Sequence, residues 1–274
     1  MSNFEGGQVS APARTAVQKS FGSTVYLVAA IVYAASLILD LATAQTKQEA
    51  VNEIVAAFSN SSGAGASSAI SGMAGFLIRL PKILTLIGMV MAWKAAKDRE
   101  SQNGTGFTVL QVAVYLTYIP TLLILGASAL LTVAFGKEVI GETFGEEAEA
   151  AAMRIALGIV VSMIFSLIYM IGLVKTYSGC GKVVKTLDGW KGASIVVIVF
   201  NIISILSTLF GLLIVSVTVK GVIAPYLADL GIDAEPIEKL FTGVSIMPGL
   251  LTVVYLILMT ATFIKANSEY KKNR

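Results

Sequence analysis

Five stretches of about twenty apolar residues or more dominate this chain: Val25–Ala44, Val109–Phe135, Ile155–Val174, Ala193–Val219 and Val244–Ile264. A helix needs about 20 such residues to cross the roughly 30 Å hydrocarbon core of a bilayer. The pattern reads as an all-α integral membrane bundle. Composition agrees. Apolar residues make up 55% of the 274, charged residues 14%, and mean hydropathy is +0.79. A soluble domain carries about 25% charge. A soluble globular protein, a disordered chain and a nucleic-acid binder are all excluded.

A sixth apolar run, Ile83–Trp93, is too short to span alone. Extended backward through Ile70–Leu80 it gains length but takes in Arg79, Pro81 and Lys82. A second span starting near Leu80, after an interfacial or re-entrant segment, is the expected arrangement. The loops support six spans. Arg14 and Lys19; Lys94, Lys97 and Arg99; Lys175, Lys182, Lys185 and Lys191; and Lys265, Lys271, Lys272 and Arg274 fall on one side. Glu49 and Glu53; Glu138, Glu142, Glu146, Glu147 and Glu149; and Asp229, Asp233, Glu235 and Glu238 fall on the other. By the positive-inside rule the basic side is cytoplasmic. Residues 1–24 then form a cytoplasmic tail, 25–264 a six-helix membrane domain, and 265–274 a basic cytoplasmic tail. The expected location is the plasma (inner) membrane. Trp93 and Trp190 stand at cytoplasmic span ends, as interfacial anchors do.

The spans pair into three hairpins, at about 25–94, 107–175 and 193–265. Each begins with Gly, any residue, Thr or Ser, then Val or Ile: Gly22-Ser23-Thr24-Val25, Gly106-Phe107-Thr108-Val109 and Gly192-Ala193-Ser194-Ile195. A triplicated hairpin explains this, and so does shared boundary chemistry, since Ser and Thr cap helix starts and Gly turns the chain. Outside the spans, Lys47–Phe58 and Glu235–Phe241 have the spacing of short amphipathic helices. Thr176–Lys191 reads as another, lying on the inner leaflet and drawn to anionic lipid.

Chemistry is sparse. There is no histidine, so the commonest general base and metal ligand are missing. The lone Cys180 allows no intramolecular disulfide. Gly179-Cys180-Gly181-Lys182 lacks the upstream glycine of a phosphate loop. Three two-helix units also build the mitochondrial carriers, but their Pro-x-Asp/Glu-x-x-Lys/Arg motif appears nowhere. No catalytic, cofactor-binding or metal-binding residue is assigned, and no cofactor or enzymatic activity is expected. Charges within spans are site candidates because lipid makes them costly. Asp40, near the outer end of span one, is the clear case, and Arg79 and Lys82 are its candidate partners. A proton or cation site and a structural ion pair both remain open. Asn201 lies about two turns into span five, as helix-to-helix glue or the lining of a polar path. Pro120 and Pro248 are candidate kinks.

A bundle this apolar suggests a non-enzymatic assembly, scaffold or regulatory component. Its expected partners are membrane lipids and another membrane protein or its own copies, with no nucleic acid. The alternative is a small-solute or ion transporter or channel. The two differ in their interiors: a transporter needs a polar cavity near the bilayer midplane, a scaffold a dry core.

Overall fold

The computed structural model describes residues 11–58, 68–98, 102–135, 146–185, 190, 192–218, 221 and 243–272. The helix expected over Glu235–Phe241 and the acidic loops around Glu138 and Asp229 lie outside these residues. The described residues form seven helices: α1 (Ala11–Phe21), α2 (Thr24–Phe58), α3 (Ser68–Lys97), α4 (Thr105–Phe135), α5 (Glu146–Val184), α6 (Ile195–Thr218) and α7 (Gly243–Lys272). Five of them, α2 and α4 to α7, are long and apolar enough to cross a membrane. The chain is a helical membrane protein.

Helix α3 differs from expectation. It runs unbroken from Ser68 through Pro81 to Lys97, with no separate segment before Leu80. Proline removes one ladder bond, at about 3 kcal/mol in an isolated helix. Breaking the helix would strand several backbone groups, each costing several kcal/mol where water is absent. Similarly, α2 continues as helix through Lys47–Phe58 rather than stopping at Ala44. Of the surface helix expected at Thr176–Lys191, Thr176–Val184 is instead the end of α5. Cys180, Val183 and Val184 there are buried against protein, not lipid.

The long helices form a ring. Each packs on its neighbours in chain order, and α7 closes the circle on α2. The seams are unequal. Helices α3, α4 and α5 make one closely packed arc, and α6, α7 and α2 make another. The joins between the arcs, α2 to α3 and α5 to α6, are leaner. Helix α1 lies in the segment read as a polar tail and packs across one mouth of the ring, against α7, α3, α5 and α2. Its Ala13, Ala16, Val17, Ser20 and Phe21 are buried. Phe21 sits edge-on to Tyr26 and Phe107, at 5.1 and 5.3 Å between ring centres, and 6.2 Å from Phe263. This mouth is the basic end. The starts of α2, α4 and α6 and the ends of α3, α5 and α7 all meet there, so α3 runs antiparallel to α2 and α4.

Lipid offers helices no hydrophobic reason to associate, so close backbone approach must hold them. Gly106 is the extreme case: a Cβ there would lie 2.3 Å from the Ala92 nitrogen on α3. Gly192 adopts φ +106°, which an L side chain rarely does, and Asn267 occupies the space a Cβ would need. Asn267 donates through Nδ2 to the Ala193 carbonyl at 3.0 Å, pinning the start of α6 to the end of α7.

The three similar Gly-x-Thr/Ser-Val/Ile starts are built differently. At the first, Ser23 caps α2 by accepting from the Tyr26 N–H at 3.3 Å. At the second, the helix already begins at Thr105, before Gly106, with Asn103 Oδ1 accepting from the Thr105 N–H at 2.9 Å. At the third, the Ser194 N–H donates to Thr176 Oγ1 on α5 at 3.1 Å. The starts share a task but not a geometry.

Candidate functional site

A cavity of about 190 Å³ lies inside the ring, and all six long helices wall it. Tyr33 comes from α2, Thr85 from α3, and Thr117 and Tyr118 from α4. Helix α5 gives Tyr169 and Tyr177, α6 gives Asn201, and α7 gives Tyr255 and Phe263. Leu110, Val114, Leu173, Leu256 and Met259 complete it. At 1.5 Å per residue, Tyr33 is about 14 Å beyond the start of α2 and Tyr255 about 15 Å short of Lys265. The cavity therefore runs from near the middle of a 30 Å span, at Tyr33 and Tyr255, toward the basic end, at Leu110, Phe263 and Tyr177.

The rings are held by one another. Tyr33 packs on Tyr255 at 4.8 Å, Tyr118 edge-on to Tyr169 at 5.8 Å, and Tyr169 stacks on Phe200 at 5.7 Å. Tyr177 lies 6.4 Å from Phe263. Asn201 is 1% exposed and accepts the Tyr169 hydroxyl at 2.5 Å, tying α5 to α6. The glue and lining roles expected for it coincide in one residue. Most span hydroxyls bond their own helix. Thr85 and Thr117 donate to the carbonyls four residues back, Pro81 and Ala113, at 2.9 and 2.8 Å. The hydroxyls of Tyr118, Tyr177 and Tyr255 have no hydrogen-bond partner among the described residues. They line the cavity and are open to whatever occupies it, whereas the buried side-chain atoms without a partner among the described residues are the Ser20 and Tyr26 hydroxyls and the Trp190 indole nitrogen.

Toward the acidic end, a second cavity of about 370 Å³ shares Tyr33 with the first. Ser36, Asp40, Lys82, Pro248 and Thr252 line it. Lys82 Nζ donates to Asp40 Oδ2 at 2.7 Å, across the lean seam between α2 and α3. Arg79 is half-buried one turn nearer the acidic end of α3. Ser36 Oγ donates to the Pro248 carbonyl at 3.2 Å, and Thr252 Oγ1 donates to the same carbonyl at 2.8 Å. Pro248 is buried within a continuous α7, and Pro120 is exposed on a continuous α4, beside Pro81. Tyr33, with Tyr255 packed on it, thus stands between the two cavities.

At the opposite end, a third cavity of about 620 Å³ opens on the other lean seam, between α5 and α6, with Lys175, Lys182 and Trp190 on its wall. Trp190 is 4% exposed, packed on Gly179 and edge-on to Tyr270, so it fills protein space rather than anchoring in the interface. Trp93 fits the anchor role better, with the Lys97 ammonium 4.8 Å from its ring centre. No three residues among His, Cys, Asp and Glu gather as a metal site among the described residues.

The sequence singled out Asp40, Lys82 and Asn201, and the fold sets them along one line of cavities. It gave no warning of the tyrosines. No protein-family model, curated protein or solved structure matches this chain.

Proposed function

We propose that the chain is a small-solute transporter of the plasma (inner) membrane, with six crossings, both termini cytoplasmic and no catalytic step. One observation carries this reading: a cavity that reaches mid-span, walled by all six long helices, with tyrosine hydroxyls that lack partners among the described residues. A scaffold needs no such space. Two lean seams, with a cavity on each at opposite ends, give two three-helix arcs a way to part on either side. What supports the sixth crossing is the end of α3, which returns to the basic end between the starts of α2 and α4. The lysines clustered at that end support the orientation.

The test needs no known solute. In a Cys180→Ala background, Thr252→Cys should react with a membrane-impermeant thiol reagent added from the acidic side. Thr85→Cys and Thr117→Cys should react slowly, and Tyr33→Ala should speed them severalfold. Central cysteines that stay unreactive in both backgrounds would sink the transporter reading. The assembly reading keeps one observation of its own. A nearly all-apolar groove of about 480 Å³ between α4 and α5, lined by Gly126, Ala129, Met153 and Ala156, has the small-residue character of a helix-docking face. A stoichiometric partner, co-eluting after gentle extraction and shed by Ala156→Leu, would favour it.

A further inference from the structure

The chemistry of the central cavity restricts what it can hold. No acidic or basic side chain lines it among the described residues. A charged ligand there would be desolvated without a counter-charge, at a cost of several kcal/mol. Open aromatic faces can offset that cost for an organic cation. Here the rings are engaged with one another: Tyr33 with Tyr255, Tyr118 with Tyr169, and Tyr177 with Phe263. They offer edges and hydroxyls more than a box of free faces. Ring edges carry positive potential, which disfavours a cation and suits the π face of another ring. The hydroxyls of Tyr118, Tyr177 and Tyr255 have no hydrogen-bond partner among the described residues; each can donate as well as accept, and a ligand acceptor would take the proton that no described acceptor takes. Size follows from volume. A cavity of roughly 150 Å³ takes up benzene, and this one is about 190 Å³.

We infer that the central cavity binds an uncharged, flat ring compound of about six to ten non-hydrogen atoms, bearing a carbonyl or ring-nitrogen acceptor. The inference rests on the transporter reading and names the substrate class of the same site.

Three probes of nearly equal shape test it: benzamide, uncharged with a carbonyl; benzoate, its anion analogue; and benzylammonium, its cation analogue. Each is titrated calorimetrically into the purified full chain in detergent. Benzamide should bind one to one, and the two ions at least tenfold more weakly. Tyr177→Phe removes one hydroxyl and nothing else, and should loosen benzamide roughly five- to tenfold. Val114→Phe fills the cavity from α4 and should abolish binding. If that variant does not fold, Tyr177→Phe still decides. Benzoate or benzylammonium binding more tightly than benzamide, and weakened by these variants, overturns the substrate class while the transporter reading stands. No binding by any of the three overturns the inference, while labelling of Thr85→Cys and Thr117→Cys decides the transporter reading separately. Benzamide binding that neither variant changes places it elsewhere and overturns the inference.

Discussion

Asp40 and Lys82 meet at 2.7 Å about 24 Å along α2 from its start, with side chains 29% and 45% exposed. Pairs this open contribute about 1 kcal/mol or less. Asp40→Asn or Lys82→Gln should therefore lower stability by about that much. The charge-swapped pair Asp40→Lys with Lys82→Asp should recover most of it, as read from thermal unfolding in detergent. The pair was legible in the sequence because a charge inside an apolar run is conspicuous and must be answered nearby. The tyrosines were not. Tyr33, Tyr118, Tyr169, Tyr177 and Tyr255 are scattered over more than 200 positions, and tyrosine is unremarkable in a membrane helix. The signal that could have found them is depth: counting from the basic end of each span puts most of them near the same level. Trp190 misled for the opposite reason. Its position suits an interfacial anchor, and only the bare backbone of Gly179 shows that its ring turns inward.

Among the elements, α1 decides whether the basic mouth is closed. Its buried residues fall at 13, 16, 17, 20 and 21, the spacing of one helical face. The sequence held that pattern, but eleven residues with a low apolar content do not stand out beside spans more than twice as long. Cys180 reports on this closure. It is 0% exposed, in the cluster that includes Val17 and Phe21. In the intact chain Cys180 should resist a maleimide reagent over hours. Deleting residues 1–21 should make it react within minutes while the helical signal in circular dichroism persists. Rapid labelling of the intact chain would mean that α1 does not cover this mouth. The span cores were readable from length and hydropathy alone. Their limits were not, because nothing in hydropathy stops a helix at the membrane surface. Helix α5, at about 58 Å, overruns a bilayer at both ends. Its basic-end overrun supplies Tyr177 and Cys180 to the core.

At the scale of the whole molecule, charge alternation and apolar runs made a hairpin series legible, and the ring joins those hairpins edge to edge. Closure of the ring was not legible. The contact of α7 with α2 joins segments some 200 residues apart, and neither carries a mark of the other. The hydrogen bonds that tie them, from the Ser36 hydroxyl to the Pro248 carbonyl and between the Ser36 and Thr252 hydroxyls, use residues common in any span. The similar helix starts allowed either a triplicated hairpin or shared boundary chemistry, and the packing divides the helices into two arcs of three. One tie across each lean seam differs in kind from the other. At the seam of α2 and α3, Asp40 and Lys82 attract through charge, partly in contact with solution. At the seam of α5 and α6, Tyr169 and Asn201 share a buried neutral hydrogen bond. Dissolved ions screen the first, since the Debye length shrinks from about 10 Å at 0.1 M to about 3 Å at 1 M, and leave the second untouched. Ionic strength is thus a one-sided lever: concentrated salt should raise thiol labelling of Thr252→Cys, beside the ion pair, and leave that of Ser194→Cys, at the α5–α6 seam, unchanged.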